Sequence, residues 1–151
     1  VVGIDPGIEQ IARARAKAAR HHLPIAFQIG VIEQLAFPDQ TFDVVLSTLM
    51  MHHVPARLKP QGLAEIARVL KPGGRLVIAD FKHKQERAGR AARFHAGGSG
   101  LHELATLVSD AGFGQVETEE MPAPRFSAFP GAGFVRAYKR SDAGAITASE
   151  G

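Results

Sequence analysis

Short apolar runs alternate with helical stripes along this chain, and that alternation leaves it few ways to fold. Residues 1–5 read Val-Val-Gly-Ile-Asp, an apolar stretch ending in an acid, as a buried strand does. Asp5-Pro6-Gly7 follows with turn chemistry and a carboxylate able to cap the orphan amides of a helix start. Apolar residues recur at Ile8, Ile11, Ala12, Ala16 and Ala19, with Arg13, Lys17 and Arg20 between them. This spacing predicts an amphipathic helix that closes near His21-His22, ahead of Pro24. Residues 25–30 read as a second strand and 33–40 as a loop turning at Pro38-Asp39. The next run, 42–48, is nearly all apolar apart from Asp43, which predicts a strand covered on both faces.

Leu63, Ile66, Ala67 and Leu70 form another helical stripe, stopped by Lys71-Pro72-Gly73-Gly74, where proline breaks the ladder and glycine allows a left-handed exit. A fourth strand is expected at 75–80 and a helix at 101–111, with Leu101, Leu104, Ala105 and Val108 on one face. Two further strands are expected at 116–121 and 134–139. The stretches 81–98 and 122–133 read as long connections, the first a candidate acceptor lid, and 141–151 as a disordered tail behind a single domain over 1–140. The alternation predicts an α/β sheet, parallel at first, with the final strand pair antiparallel and a ligand at the carboxyl ends of the strands.

Composition narrows the chemistry. None of the 151 residues is cysteine, which excludes disulfide frameworks, zinc ribbons and thiol nucleophiles. No apolar run approaches the ~18 residues of a membrane span, and a cytoplasmic protein is the expectation. A formal charge of +3 is mild evidence for an anionic partner. The basic clusters at 13–20 and 82–93 lack the interleaved aromatics of a nucleic-acid surface, so nucleic acid is not the expected partner.

Four segments, in order and spacing, carry a resemblance: 1–5; Phe37-Pro38-Asp39 with Phe42-Asp43-Val44-Val45; Met51-His52-His53-Val54; and Arg68-Val69-Leu70-Lys71-Pro72-Gly73-Gly74. Together they resemble the class I S-adenosylmethionine-dependent methyltransferases, in particular the small-molecule branch that includes the ubiquinone/menaquinone biosynthesis enzymes. The resemblance covers roughly residues 1–139 and implies a Rossmann-like sheet of order 3-2-1-4-5-7-6. On that map residues 1–5 stand for strand 2, 25–30 for strand 3, 42–48 for strand 4 and 75–80 for strand 5. Strand 1 and its acid-then-G-x-G-x-G turn have no counterpart here, so the expectation is an N-terminally truncated member with impaired activity. The alternatives to truncation are that strands 2 and 4 pair directly and close the sheet, or that another chain completes it.

The resemblance implies S-adenosyl-L-methionine as cofactor and a small-molecule methyl acceptor. It makes Asp5 the carboxylate that accepts from the ribose hydroxyls, where the residue type alone serves equally as a helix cap. Ile8 borders adenine or begins the core of its helix. Val31 and Ile32 fall where the family commonly has Asp-Ala; Val31 offers adenine no side-chain acceptor, so only backbone groups of Ile32 remain. Thr48 lines the cofactor or caps a strand end. Leu49, Met50 and Met51 sit between cofactor and acceptor or simply pack. His52 is a candidate general base, with a lining role as the alternative. No metal is expected at His52-His53, because neighbouring side chains diverge. Two other readings stay open: a non-catalytic interaction module of the same fold, and a nicotinamide-dependent oxidoreductase, which would also use an acid at the end of a strand.

Overall fold

The computed structural model describes residues 1–81, 100–121 and 132–141. The expected lid, the 122–131 loop, the 82–93 basic cluster and the tail lie outside them, apart from Ser141 and the loop ends. Strand β1 (Val2–Asp5) leads into α1 (Ile8–Arg20), then β2 (Ala26–Ile29) and β3 (Phe42–Thr48). Two short 3-10 turns, Met51–His53 and Ala56–Leu58, precede α2 (Lys59–Val69), which runs straight into β4 (Leu70–Phe81). Helix α3 (Leu101–Asp110) and strands β5 (Phe113–Glu120) and β6 (Ala132–Lys139) complete the order. No helix among the described residues is long and apolar enough to cross a membrane.

The strands form two sheets. β1 and β2 pair in parallel, and a four-stranded sheet has the order β3-β4-β6-β5. β3 and β4 are parallel, while β6 is antiparallel to both β4 and β5, as expected for the last strand. The family order is therefore present on both sides of a single gap, between β1 and β3. The two strands do not close up against each other, so the expectation of direct pairing is not the one realised.

The gap explains a correction at β3. The sequence predicts cover on both faces, yet Leu46 is 68% exposed and Val44 42% exposed. Among the described residues none covers these side chains. A second correction concerns α1, whose inward face is Ile11, Ala14 and Ala18, with Ile8 72% exposed. Reading the small alanines as a stripe placed the buried face one position off. At β4 the strand begins five residues early, because Leu70 already pairs with Phe42 and Lys71–Gly74 bulges out between that pair and Val44–Arg75, with Gly73 at φ +73°.

The core lies between the larger sheet and helices α2 and α3. Leu63, Ile66 and Val69 of α2, Leu104 and Val108 of α3, and Leu76, Ile78 and Val135 of the sheet are buried there. Leu63, Ile66, Leu104 and Val108 belong to the stripes read from the sequence, Val69 does not, and Ala67, Leu101 and Ala105 are only partly buried. An ionic clamp ties α2 to the loop before β3. The Arg68 guanidinium donates to the Phe37 and Leu35 carbonyls and to Asp39, all at 2.8 Å, and is held at Nε and Nη2 by Glu65. Glu65 also accepts the Leu35 N–H at 2.8 Å. The hydrogen-bonded Arg68 chiefly, with the Leu35 amide, pulls the Glu65 carboxyl down from 4.5 to about 2.

A depressed carboxylate contributes stability that is present above its unfolded pKa and lost as pH falls through the folded value. Glu65→Gln should lower the Tm at neutral pH by roughly 2–4 °C. In thermal melts the deficit against the parent should shrink as pH falls from 4.5 towards about 2, where the parent carboxylate takes up its own proton. A deficit that stays constant across that window contradicts the clamp.

Candidate functional site

A groove of about 530 Å³ occupies the gap between the sheets. One bank is β1 with Asp5 and Pro6, the other β3 with Ser47, Thr48 and Met50, and Gly30, Ile32, Leu35 and Phe37 also line it. That volume suits a small-molecule site, and the walls are mainly apolar with a few polar groups. Three of the sequence-expected residues, Asp5, Ile32 and Thr48, share this lining. Ile8, Val31 and His52 are not part of it; Ile8 and Val31 are exposed side chains beyond the rim. The reading of Ile8 as the first core residue of α1 is therefore overturned.

Asp5 ends β1 at the turn into α1. Its Oδ1 accepts the Gly7 N–H at 2.7 Å, a turn bond two residues on; Gly7 is itself the N-cap of α1 and no side chain caps that helix, so the cap role read from the residue type is not realised. Its Oδ2 takes no hydrogen bond among the described residues, so one carboxylate oxygen stays available. A Cβ at Gly7 would meet the flexible end of the exposed Gln10 side chain at 2.2 Å and Asp5 Oδ1 at 3.0 Å, and Gly7 has an ordinary extended backbone with φ −86°.

On the opposite bank Ser47 is 6% exposed, and its Oγ is buried without a hydrogen-bond partner among the described residues. An unmet buried hydroxyl costs about 1–3 kcal/mol. Thr48 beside it is exposed at the strand end. Ile32 is positioned by α2: a Cβ at Gly62 would stand 3.1 Å from two Ile32 side-chain carbons, so glycine at that point lets the helix seat against the groove floor.

A second polar centre lies at the carboxyl end of β4. Asp80 is 4% exposed and accepts three N–H groups. The His52 backbone N–H donates to Oδ2 at 3.0 Å, the Phe81 N–H donates to Oδ1 at 2.7 Å, and His52 Nδ1 lies 2.6 Å from Oδ1. The His52 and His53 ring centroids lie 3.9 Å apart with the planes tilted by 42°, which corrects the expectation that they diverge. Lys59 is 1% exposed, and burial lowers its ammonium pKa against the opposing pull of Glu103 and Asp80. No group of three metal-ligating side chains occurs among the described residues. Sequence reasoning missed Asp80. Its signal was there, since 75–80 is an apolar strand ending in an acid, the same pattern that singled out Asp5.

The family profile for a methyltransferase domain matches residues 1–78. The chain belongs to the methyltransferase domain family. A ubiquinone/menaquinone biosynthesis C-methyltransferase of Geobacter sulfurreducens is 37% identical over 89 residues, covering 58% of this chain and 34% of that protein. The 27-O-demethylrifamycin SV methyltransferase of Amycolatopsis mediterranei is 33% identical over 112 residues, covering 71% of this chain and 40% of that protein. The chain thus spans well under half the length of these methyltransferases. Among solved structures, a SAM-dependent methyltransferase from Methanosarcina mazei superposes with a TM-score of 0.77 at 22% identity, covering 94% of this chain and 82% of that one. Phosphoethanolamine N-methyltransferase 2 of Haemonchus contortus, solved with S-adenosyl-L-methionine, gives 0.77 at 16% identity, over 93% of this chain and 43% of that one. At these identities the structural matches establish the methyltransferase fold.

The geometry at Asp5 separates the turn bond to Gly7 from the charge. Asp5→Ala should destabilise the fold by ~0.5–1.5 kcal/mol through the lost Gly7 bond. Asp5→Asn keeps an oxygen acceptor and should stay within about 0.5 kcal/mol of the parent in urea unfolding. Equal losses in the two variants would contradict a role for that turn bond.

Proposed function

We propose that this chain is the nucleoside-gripping portion of a class I S-adenosylmethionine-dependent methyltransferase acting on a small organic acceptor. The observation that carries the reading is the meeting of Asp5, Ile32 and Thr48 around one groove between β1 and β3. The residues present fit the nucleoside end of the cofactor. Asp5 Oδ2 is available to accept from a ribose hydroxyl, and a carboxylate–hydroxyl bond is of the charge-assisted kind. Ile32 supplies an apolar wall and backbone groups for adenine, and Thr48 supplies a hydroxyl on the far bank. Val31 contributes no side-chain acceptor, which weakens the adenine contact by ~0.5–1.5 kcal/mol. Ile8 is left as a surface residue at the mouth.

When bound, the cofactor supplies a methyl group on a sulfonium, already activated for in-line displacement, so the protein's task is chiefly orientation. His52 takes the role of proton acceptor on the acceptor side. Because the sequence contains no acid-G-x-G-x-G turn, transfer by this stretch alone is expected to be weak. Residues 1–140 form the working unit in this reading, and the cytoplasm is its compartment.

Calorimetric titration with S-adenosylhomocysteine tests the proposal. Saturable binding at one site is expected, weakened ~10-fold or more in Asp5→Asn, which amounts to about 1.4 kcal/mol or more. Absence of saturable binding, or equal affinity for a reduced nicotinamide dinucleotide, overturns it.

A further inference from the structure

The buried carboxylate at the end of β4 does more than fill space. Asp80 sits at the carboxyl end of a strand paired on both sides, and all three hydrogen bonds it accepts come from the neighbouring turn and its own successor. A carboxylate accepts hydrogen bonds and cannot donate them, so the 2.6 Å contact requires the proton to be on His52 Nδ1. Neutral imidazole carries one N–H, and Nε2 is then left with its lone pair. Nε2 has no hydrogen-bond partner among the described residues, and the His52 side chain keeps 18% of its surface open. The ring cannot swing easily: its own backbone N–H is tied to Asp80 Oδ2, the tilted His53 ring lies 3.9 Å away and the Phe81 ring meets it at 5.2 Å.

We infer that Asp80 is a positioning residue that fixes His52 as the Nδ1–H tautomer, leaving Nε2 as the atom that receives a proton from a hydroxyl or N–H acceptor. The second half of this inference rests on the methyl-transfer reading; the tautomer does not. The proton leaves the acceptor's O–H or N–H bond while the electron pair stays on the acceptor atom, and it lodges on Nε2. The resulting imidazolium is met by a carboxylate already bonded to its other N–H, an arrangement in which an acid orients a histidine and stabilises its charged form. Among the described residues, the other ionisable groups around this centre are Lys59 from α2, Glu103 from α3, which acts on Lys59, and the adjacent His53. An acceptor that presents a lone pair with no proton to lose, such as a thioether, has no use for such a base.

Long-range proton–nitrogen correlation spectra of 15N-histidine-labelled protein test the tautomer directly. At alkaline pH the parent should show His52 with a protonated Nδ1 and an unprotonated Nε2, and Asp80→Ala should convert it to a mixture or to Nε2–H. Nε2–H in the parent overturns the inference even if the variant does not fold, as does an unchanged signature in a folded variant. Diethyl pyrocarbonate should acylate His52 Nε2; labelling of the exposed His22 with none at His52 overturns the open-base assignment. Titrating the same labelled sample with S-adenosylhomocysteine keeps the two readings apart. An Nδ1–H signature without cofactor binding sinks the methyl-transfer reading and spares the role of Asp80, and binding with Nε2–H does the reverse.

Discussion

A β-strand must satisfy its backbone along two edges, and β1 and β3 each satisfy one. β4 and β6, by contrast, are paired on both sides and carry the most deeply buried residues of the sheet, Leu76, Ile78 and Val135. The interruption between β1 and β3 therefore shapes everything on the other half of the molecule. It opens the groove and exposes Leu46. It also sets the end of β1, with Asp5, across from the end of β3, with Thr48. Chemistry converges there because strand ends that would otherwise be separated by a neighbour face each other over open space.

The two halves are still mechanically coupled. Glu65 and Arg68 on one side of α2 seize the loop that carries Leu35 and Phe37, and both of those residues line the groove. Gly62, on the same helix, allows Ile32 to lie against it at van der Waals distance. The start of α2 is also involved, since buried Lys59 feels both Asp80 and Glu103. One helix thus sets the groove floor and borders the His52–Asp80 centre, so the nucleoside side and the acceptor side share a rigid reference.

Much of the fold was legible because strong periodicity survives tertiary context. Most of the stripes of α2 and α3, the limits of β3 and the antiparallel last strand follow from residue spacing, and the R-V-L-K-P-G-G stop marks the end of α2 to within a residue, though not the start of β4. The misses have physical causes. Alanine carries little hydrophobic signal, so the α1 stripe was misread and Ala18 overlooked. Exposure of Leu46 depends on an absent neighbour, which no property of Leu46 itself reveals. Asp5, Ile32 and Thr48 could be placed together because strand ends gather at one rim of an α/β sheet. The bond between Asp80 and His52 spans 28 positions in sequence and depends on how a 3-10 turn folds back over β4, so only the paired pattern of an acid ending an apolar strand hinted at it.

The central claim is that β1 and β3 flank an open groove, and amide hydrogen exchange reads it residue by residue. Asp5 accepts from Gly30, and Leu49 donates to Ala79, so the alternation of strand amides turns the Ile4, Leu46 and Thr48 N–H groups towards the groove. Those three should exchange orders of magnitude faster than the amides of Leu76 and Ile78, which lie in a strand paired on both edges. Equal protection at all five positions, accompanied by short cross-strand proton contacts between β1 and β3, would mean that the sheet closes and the groove does not exist.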